Sequence, residues 1–289
     1  MNQKIERILA NVQKPGRYVG GELNAVIKDK ADVDVRFAFC FPDVYEVGMS
    51  HLGMKILYSV LNEQPDIWCE RVFAPWVDME EEMRKHDIPL FALESGDSVA
   101  EFDFIGFTLQ YELSYTNILN MLNLAGIPIR VQDRTDLFHI VVAGGPCACN
   151  PEPLADFVDL FFIGEGEQVD LEVIRLYQAC KKEGKSKEEF LQKAAQIQGV
   201  YVPSLYSVTY HDDGTIKEMI PHAAAPKTVR KRLELDMDKA YFPEKFVVPS
   251  IEIVHDRAVA EVQRGCIRGC RFCQAGFIYR PVREKSVDM

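Results

Sequence analysis

Three of the eight cysteines stand together as Cys266-Ile-Arg-Gly-Cys270-Arg-Phe-Cys273, spaced by three residues and then by two. Three thiols on one short loop can reach three corners of a single cubane. An Fe–S cluster tolerates three protein ligands, because its fourth iron can stay open for a substrate. A structural zinc site wants a fourth Cys or His at ligand spacing, and His255 lies eleven residues upstream, across an expected strand. Arg264, Arg268, Arg271, Arg280, Arg283 and Lys285 face only Glu284 around this loop, a local charge of +5 in a chain of net charge −11. That field suits thiolates and an anionic ligand, and a solvated or RNA-facing basic patch is the alternative. Cys40, Cys69 and Cys180 stand singly, and Cys147 and Cys149 form a loose pair. In a reducing compartment they are thiols, ligands or core fillers rather than disulfides.

A second set of residues falls in loops that follow apolar runs. Asp43-Val-Tyr45-Glu-Val-Gly48 follows the first run, and Thr108-Leu-Gln110-Tyr111 follows a middle one. Gly144-Gly145-Pro146 and Gly164-Glu165-Gly166-Glu167 come later. Paired glycines let a backbone approach a bulky ligand closely. The phosphate-cradling form would need a longer glycine-rich loop, which is absent.

The elements that must position these loops read as strand and helix in alternation. Strands are expected at Val35–Phe41, near Cys69–Phe73, at Phe104–Thr108, Phe138–Ala143 and Val158–Ile163, with Leu90–Leu93 as an extra one. Helices are expected over Leu52–Leu61, Val77–His86 and Thr116–Leu124, and from Gly166 to a break at Gly184. Ser186 with Glu189 marks a capping box for one more, ending near Gln198. This pattern specifies an α/β, Rossmann-like open sheet, mostly parallel, with flanking helices, in which ligands sit beyond the carboxyl ends of the strands. Tyr201–Tyr210 and Thr215–Ile220 read as a hairpin about Asp212-Asp213-Gly214, and Ala258–Gln263 as a strand leading into the cysteine loop. The expected organisation is a lead-in over 1–30, the α/β domain over 31–200, hairpin and linker over 201–250, and the start of a further domain over 251–289. Sixteen residues follow Cys273, so that last domain is expected to be unfinished.

With 47% hydrophobic and 27% charged residues, the composition is that of an ordinary globular protein, and collagen-like, coiled-coil and disordered classes drop out. The acidic balance argues against sequence-independent binding to nucleic acid or anionic membranes by the chain as a whole. No apolar run approaches the ~20 residues of a membrane span, and residues 1–12 lack a signal-peptide core, so a cytoplasmic address is expected.

The cysteine loop, with Phe272 just before its third thiol, resembles the cluster loop of the radical S-adenosylmethionine (SAM) superfamily. The resemblance implies a [4Fe-4S] cluster on Cys266, Cys270 and Cys273, with SAM chelating the open iron and Phe272 near its adenine. It also implies an electron donor, and reductive cleavage of SAM to a 5′-deoxyadenosyl radical. The N-terminal loops are similar to the cobalamin-binding domain often placed before a radical SAM barrel. That resemblance implies contacts from Asp43, Tyr45, Gly48, Thr108, Gln110, Gly144, Gly145, Gly164 and Gly166. Tyr45 stands where that family has a cobalt-ligating histidine, so cobalamin would be bound base-off and without a histidine ligand; His51 lies three residues past Gly48. Across the chain, from Pro15 to Lys285, the order of motifs resembles an uncharacterised group of B12-binding-type radical SAM proteins.

The expected function is therefore the N-terminal part of a radical SAM enzyme, with the first strand and cluster loop of an incomplete (β/α) barrel. Cobalamin-dependent methyl transfer to an unactivated carbon is the reaction such cofactors imply. By itself the chain is expected to be catalytically incomplete, with a second polypeptide as one way of completing the barrel. One alternative is a non-catalytic cobalamin- or partner-binding α/β module, its loops an empty scaffold with Tyr45 packing the core. Another is a methylthiotransferase-like protein, with Cys40, Cys147 and Cys149 on a second cluster, although Cys40 sits in a buried-looking strand.

Overall fold

The computed structural model describes residues 3–289. The chain begins with α1 (Gln3–Leu9) and an irregular lead-in, then enters β1 (Val35–Phe41). After β1 come α2 (Tyr45–Gly48), α3 (Leu52–Asn62), β2 (Ile67–Phe73) and α4 (Val77–Lys85). Next are β3 (Phe104–Thr108), α5 (Tyr115–Leu124), β4 (Ile140–Gly144), β5 (Leu160–Phe162), α6 (Gly166–Lys182), α7 (Lys187–Ala194) and β6 (Val200–Tyr201). All seven residues of β1 are buried. Such a run, buried on both faces with Arg36 ion-paired to Glu70, is what an interior strand of a sheet covered by helices on either side requires.

The sheet order is β2-β1-β3-β4-β5-β6, the first five strands parallel and β6 antiparallel to β5. The chain runs from β1 outward to β2, then crosses back to β3 and continues the other way. The order therefore reverses between β1 and β3, the switch point at which open α/β sheets form their ligand crevice. In register, Phe39 lies beside Gly106 and Gly106 beside Val142, while Thr108 lies beside Gly144. Neighbours in register share a face, so these residues form one patch on the side of the sheet that carries α3 and α6.

Beyond α7 the structure is sparser. A hairpin joins β7 (Tyr206–Tyr210) to β8 (Ile216–Pro221). Residues 222–262 cross the domain as irregular chain with several turns, tied by a bridge from Gly164 to Arg232 and another from Leu23 to Val248. The chain ends with β9 (Gln263–Arg264), α8 (Ala275–Ile278) and β10 (Arg283–Glu284), with β9 and β10 antiparallel.

The α/β reading holds, with local corrections that have physical causes. Val200–Tyr201 pairs with β5 instead of opening the hairpin, giving the last parallel strand a partner on its outer edge. Leu90–Leu93 makes a single bridge, Phe91 to Ser98, because its amides are spent elsewhere: Leu90 on Leu124 O and Leu93 on Arg71 O. The strand expected at Phe138 starts at Ile140, since His139 has φ +50°, outside the extended region. Of the strand expected at Ala258–Gln263, only Gln263 and its neighbour Arg264 pair, with two residues of β10. A strand forms only where another backbone satisfies its amides and carbonyls.

Candidate functional site

Between the sheet and helices α3 and α6 lies a cavity of about 160 Å³, open at the carboxyl ends of the strands. Its apolar lining includes Phe37, Phe39, Val142 and Phe162 from the sheet and Leu57 from α3. Gly106 creates part of this space, because a Cβ there would lie 2.4 Å from the Phe37 ring. Gly145 and Gly164 hold φ of +103° and +117°, and a Cβ on Gly164 would come within 2.1 Å of the Arg232 carbonyl oxygen. No other residue tolerates that combination of close approach and left-handed backbone. An apolar cavity of about 150 Å³ accommodates a benzene-sized ring. One ring of a larger ligand therefore fits inside, with the remainder at the mouth.

The polar side chains at one wall satisfy one another. His51 caps α3, its Nδ1 accepting from the Met54 amide at 3.1 Å. With Nδ1 an acceptor, the proton of the neutral ring resides on Nε2, and Gln110 is the side-chain partner of this imidazole. Burial lowers the His51 pKa, opposed by the Gln110 hydrogen bond, so the ring is uncharged. Gln110 Nε2 in turn donates to Thr108 Oγ1.

Asp170 on α6 differs. It lines the same cavity, is 4% exposed, and its Oδ1 has no hydrogen-bond partner. Burial raises its pKa well above the ordinary carboxylate range, reinforced by the charge of Glu167, so the group is held as the neutral acid. The sequence carries a signal for it that went unread: Asp170 interrupts the buried stripe Val169, Val173, Ile174, Tyr177 and Cys180 of α6.

The cavity gathers Thr108, Gln110, Gly144, Gly145, Gly164 and Gly166 of the expected ligand contacts, together with His51. Tyr45, Asp43 and Gly48 are not among its lining residues. Tyr45 is buried in the core, edge-on to Phe73 at 5.2 Å between ring centroids, its hydroxyl donating to Glu22 at 2.9 Å. Asp43 accepts from the Tyr111 hydroxyl at 2.7 Å. Gly48 packs where a Cβ would strike Phe73 at 2.3 Å. Of the first motif, Tyr45 and Gly48 thus pack into the core, and Asp43 stays partly exposed beside Tyr111. Cys40 is likewise a core residue, wholly buried in β1 with its thiol directed at Ala38 O.

The cysteine loop lies between β9 and α8. All eight cysteines are free thiols, with Cys270 exposed and Cys266 and Cys273 half-buried. Among the described residues, no three Cys, His, Asp or Glu side chains converge as a metal-holding group. The donor set fits a three-thiolate cluster in number and chemistry, and the three thiols do not converge in this structure. Phe272 is 93% exposed, an apolar ring held out towards solvent. Part of the basic field around this loop is spent on structure. Arg264 pairs with Glu165, Glu167 and Glu261, and Arg283 pairs with Glu165 at 2.7 Å. The Gly164–Glu167 motif therefore contributes its glycines to the cavity and its glutamates to a clamp on the loop. Lys231 also donates to the carbonyls of Ile278 and Arg280. Between them Tyr279 lines the cavity, so the segment carrying the cysteines covers part of its mouth.

The molecule is a doubly wound α/β sheet with a ring-sized cavity at its switch point and a three-cysteine loop beside it. Residues 53–203 match the family described as radical SAM proteins, N-terminal, and the chain belongs to that family. It is similar to the uncharacterized protein MJ0966 of Methanocaldococcus jannaschii, 28% identical over 255 residues that cover 87% of this chain and 43% of the relative. The chain thus spans less than half the length of that curated relative. Among solved structures it is similar to the cobalamin-dependent S-adenosylmethionine radical enzyme OxsB with aqua-cobalamin and S-adenosylmethionine bound. That likeness has a TM-score of 0.48 and 17% identity, covering 88% of this chain and 30% of the other. Among the described residues no helix is long and apolar enough to cross a membrane.

Proposed function

We propose that this chain is the N-terminal part of a radical SAM enzyme whose switch-point cavity holds part of a cobalamin and whose cysteine loop holds a [4Fe-4S] cluster. The observation that carries the reading is the seating of Tyr279, six residues past Cys273, in the mouth of the cavity. It puts the segment that would bind the cluster against the site that would bind the second cofactor. When bound, the reduced cluster supplies an electron for cleaving SAM, and cobalamin supplies a methyl carrier; together they suit methyl transfer to an unactivated carbon.

This chain's own residues have the following roles. Cys266, Cys270 and Cys273 furnish thiolates, and Phe272 offers an apolar face to the adenine of SAM. The glycine edges of β4 and β5 let a ligand lie close to backbone, and Phe37, Phe39 and Val142 receive a flat ring. Tyr279 keeps water from part of the mouth. His51 is the one imidazole among the cavity-lining residues, and its Nδ1 is committed to capping α3, while Tyr45 lies in the core. A ligating Nε2 would place the ring proton on Nδ1 and break that cap. A cobalamin held here would be one that takes no imidazole from these residues.

Anaerobic reconstitution with iron and sulfide tests the cluster. The wild-type chain is expected to take up a [4Fe-4S] cluster with its characteristic visible absorption and EPR signal. Cys266→Ala, Cys270→Ala and Cys273→Ala should each abolish that uptake. A full cluster in any of the three variants overturns the assignment.

A further inference from the structure

We infer that the outer edge of β7 is a self-association surface, on which a second copy of this chain lays its own β7 antiparallel about a two-fold axis at Val208. The two strands of the hairpin differ in how their edges are protected. β8 carries Lys217, Glu218 and Pro221, and its pairing passes over Lys217, between Glu218 opposite Thr209 and Ile216 opposite Tyr210. Charge, proline and a bulge are the means by which an edge strand is kept from pairing with other chains. β7 reads Tyr206-Ser207-Val208-Thr209-Tyr210, with no charge, no proline and no extra residue of its own. Among the described residues β8 is the only strand beside it, and no backbone bond of residues 207–210 reaches beyond the hairpin. The main sheet is closed differently: Arg71 on its outer strand β2 bonds through its carbonyl to the Leu93 amide and through its amide to the Glu94 carboxylate.

The sequence of β7 is a palindrome by residue class, and that selects the occupant. Antiparallel pairing about Val208 sets Val208 opposite its counterpart, Ser207 opposite Thr209, and Tyr206 opposite Tyr210. Residues directly opposite in an antiparallel pair share a face, and each of these pairs does, because its members are an even number of positions apart. Aromatic, hydroxyl and β-branched pairs are each favourable across strands, and no like charges meet. Moving the axis to Thr209 would set Tyr206 against Asp212, and moving it to Ser207 would draw in Leu205, which lies in a 3-10 turn. A two-stranded hairpin is marginal in water, and Tyr210 and Ile216 are exposed on this one; the pairing completes a four-stranded sheet in the order β8-β7-β7-β8. The contact is isologous and ends at two copies, because both outer edges are then the guarded edges of β8. Five residues a side make a small interface, so the dimer is weak and reversible.

Sedimentation equilibrium of the full chain tests this. The wild type is expected to dimerise reversibly with a dissociation constant of roughly 10–100 μM. Ser207 and Thr209 are exposed, and the Ser207 side chain touches His222 alone, so changes there leave the packing of the hairpin on the domain in place. Ser207→Lys combined with Thr209→Lys brings lysine opposite lysine at two places and should weaken the dimer about ten-fold or more. Ser207→Glu combined with Thr209→Lys brings opposite charges together at the same two places and should restore it. A parallel or shifted pairing would not show that restoration. Circular dichroism and thermal melts confirm that both variants are folded. A wild type that stays monomeric at about 200 μM overturns the inference, whether the edge is then bare or met by a different polypeptide. A dimer indifferent to the two lysines places the contact elsewhere and overturns it too, and loss of the dimer in both double variants refutes the register about Val208.

Discussion

Replacing Asp170 by Asn should stabilise the protein by an amount that grows with pH. In the unfolded chain this carboxyl ionises above about pH 3.9, the ordinary value for Asp. In the folded chain burial, reinforced by Glu167, holds it protonated to well above that. Between the two values the native state binds one more proton than the unfolded state, so native stability falls as pH rises. The slope is about 1.4 kcal/mol per pH unit, until the carboxyl ionises in the folded protein. Asn keeps the size of the side chain and cannot ionise, so the variant lacks this slope. Its buried amide leaves a polar group unpaired, as in the wild type, and adds only a constant offset. Urea melts of both proteins at roughly pH 5, 6 and 7 give the difference directly. With an m-value of about 3 kcal/mol/M, each pH step should widen the gap in midpoint by about 0.5 M. A gap independent of pH would mean that Asp170 is ionised in the native state, and would refute the picture of a sealed, uncharged acid in the cavity.

Other residues give expectations of different kinds. Tyr45→Phe removes a hydroxyl bonded to the buried Glu22, and should cost about 1.5–3 kcal/mol in chemical denaturation without altering ligand retention. His51→Ala removes the cap of α3, at about 0.5–2 kcal/mol. Because His51 has a lowered pKa in the fold, its contribution is complete above the unfolded value of about 6.5 and is lost as pH falls from there through the lower folded value, and the variant's melts should lack that component. Arg264→Ala leaves Glu165 and Glu167 with weaker pairing, and should speed amide exchange of residues 265–282 while the sheet remains protected. Gly164→Ala forces a Cβ into the Arg232 carbonyl at φ +117° and should cost about 1–3 kcal/mol or more, detaching the segment around Arg232 first.

What could be read in the chain was whatever is local. The apolar run of β1, the capping box of Ser186 and Glu189, and the cysteine spacing are each contained in a few residues, and the first two stand as expected. The carboxyl-end loops were legible as a site because strand alternation fixes which ends they occupy, and four expected glycines do line the cavity. Side-chain direction was not legible. Tyr45 holds a motif position by spacing, yet α2 turns it onto Phe73 and Glu22, and only the packing decides that. The basic field was misjudged for a related reason. Arg264 and Arg283 lie about a hundred residues from Glu165 and Glu167 in sequence, and their pairing depends on how the last segment crosses the sheet. Asp170 was visible as a charge in an apolar stripe, but its value as a site depends on Gly106, Phe37 and Val142, which other elements bring alongside it.

The most direct test of the central claim is the visible spectrum of the chain after anaerobic mixing with hydroxocobalamin and removal of free ligand on a sizing column. The expected result is retained cobalamin with a base-off spectrum, unchanged in Tyr45→Phe and in His51→Ala. Passage of all cobalamin in the free fraction would contradict a cobalamin site at the switch point. A retained spectrum that loses an axial nitrogen signature in His51→Ala would contradict the assignment of that imidazole to the helix cap.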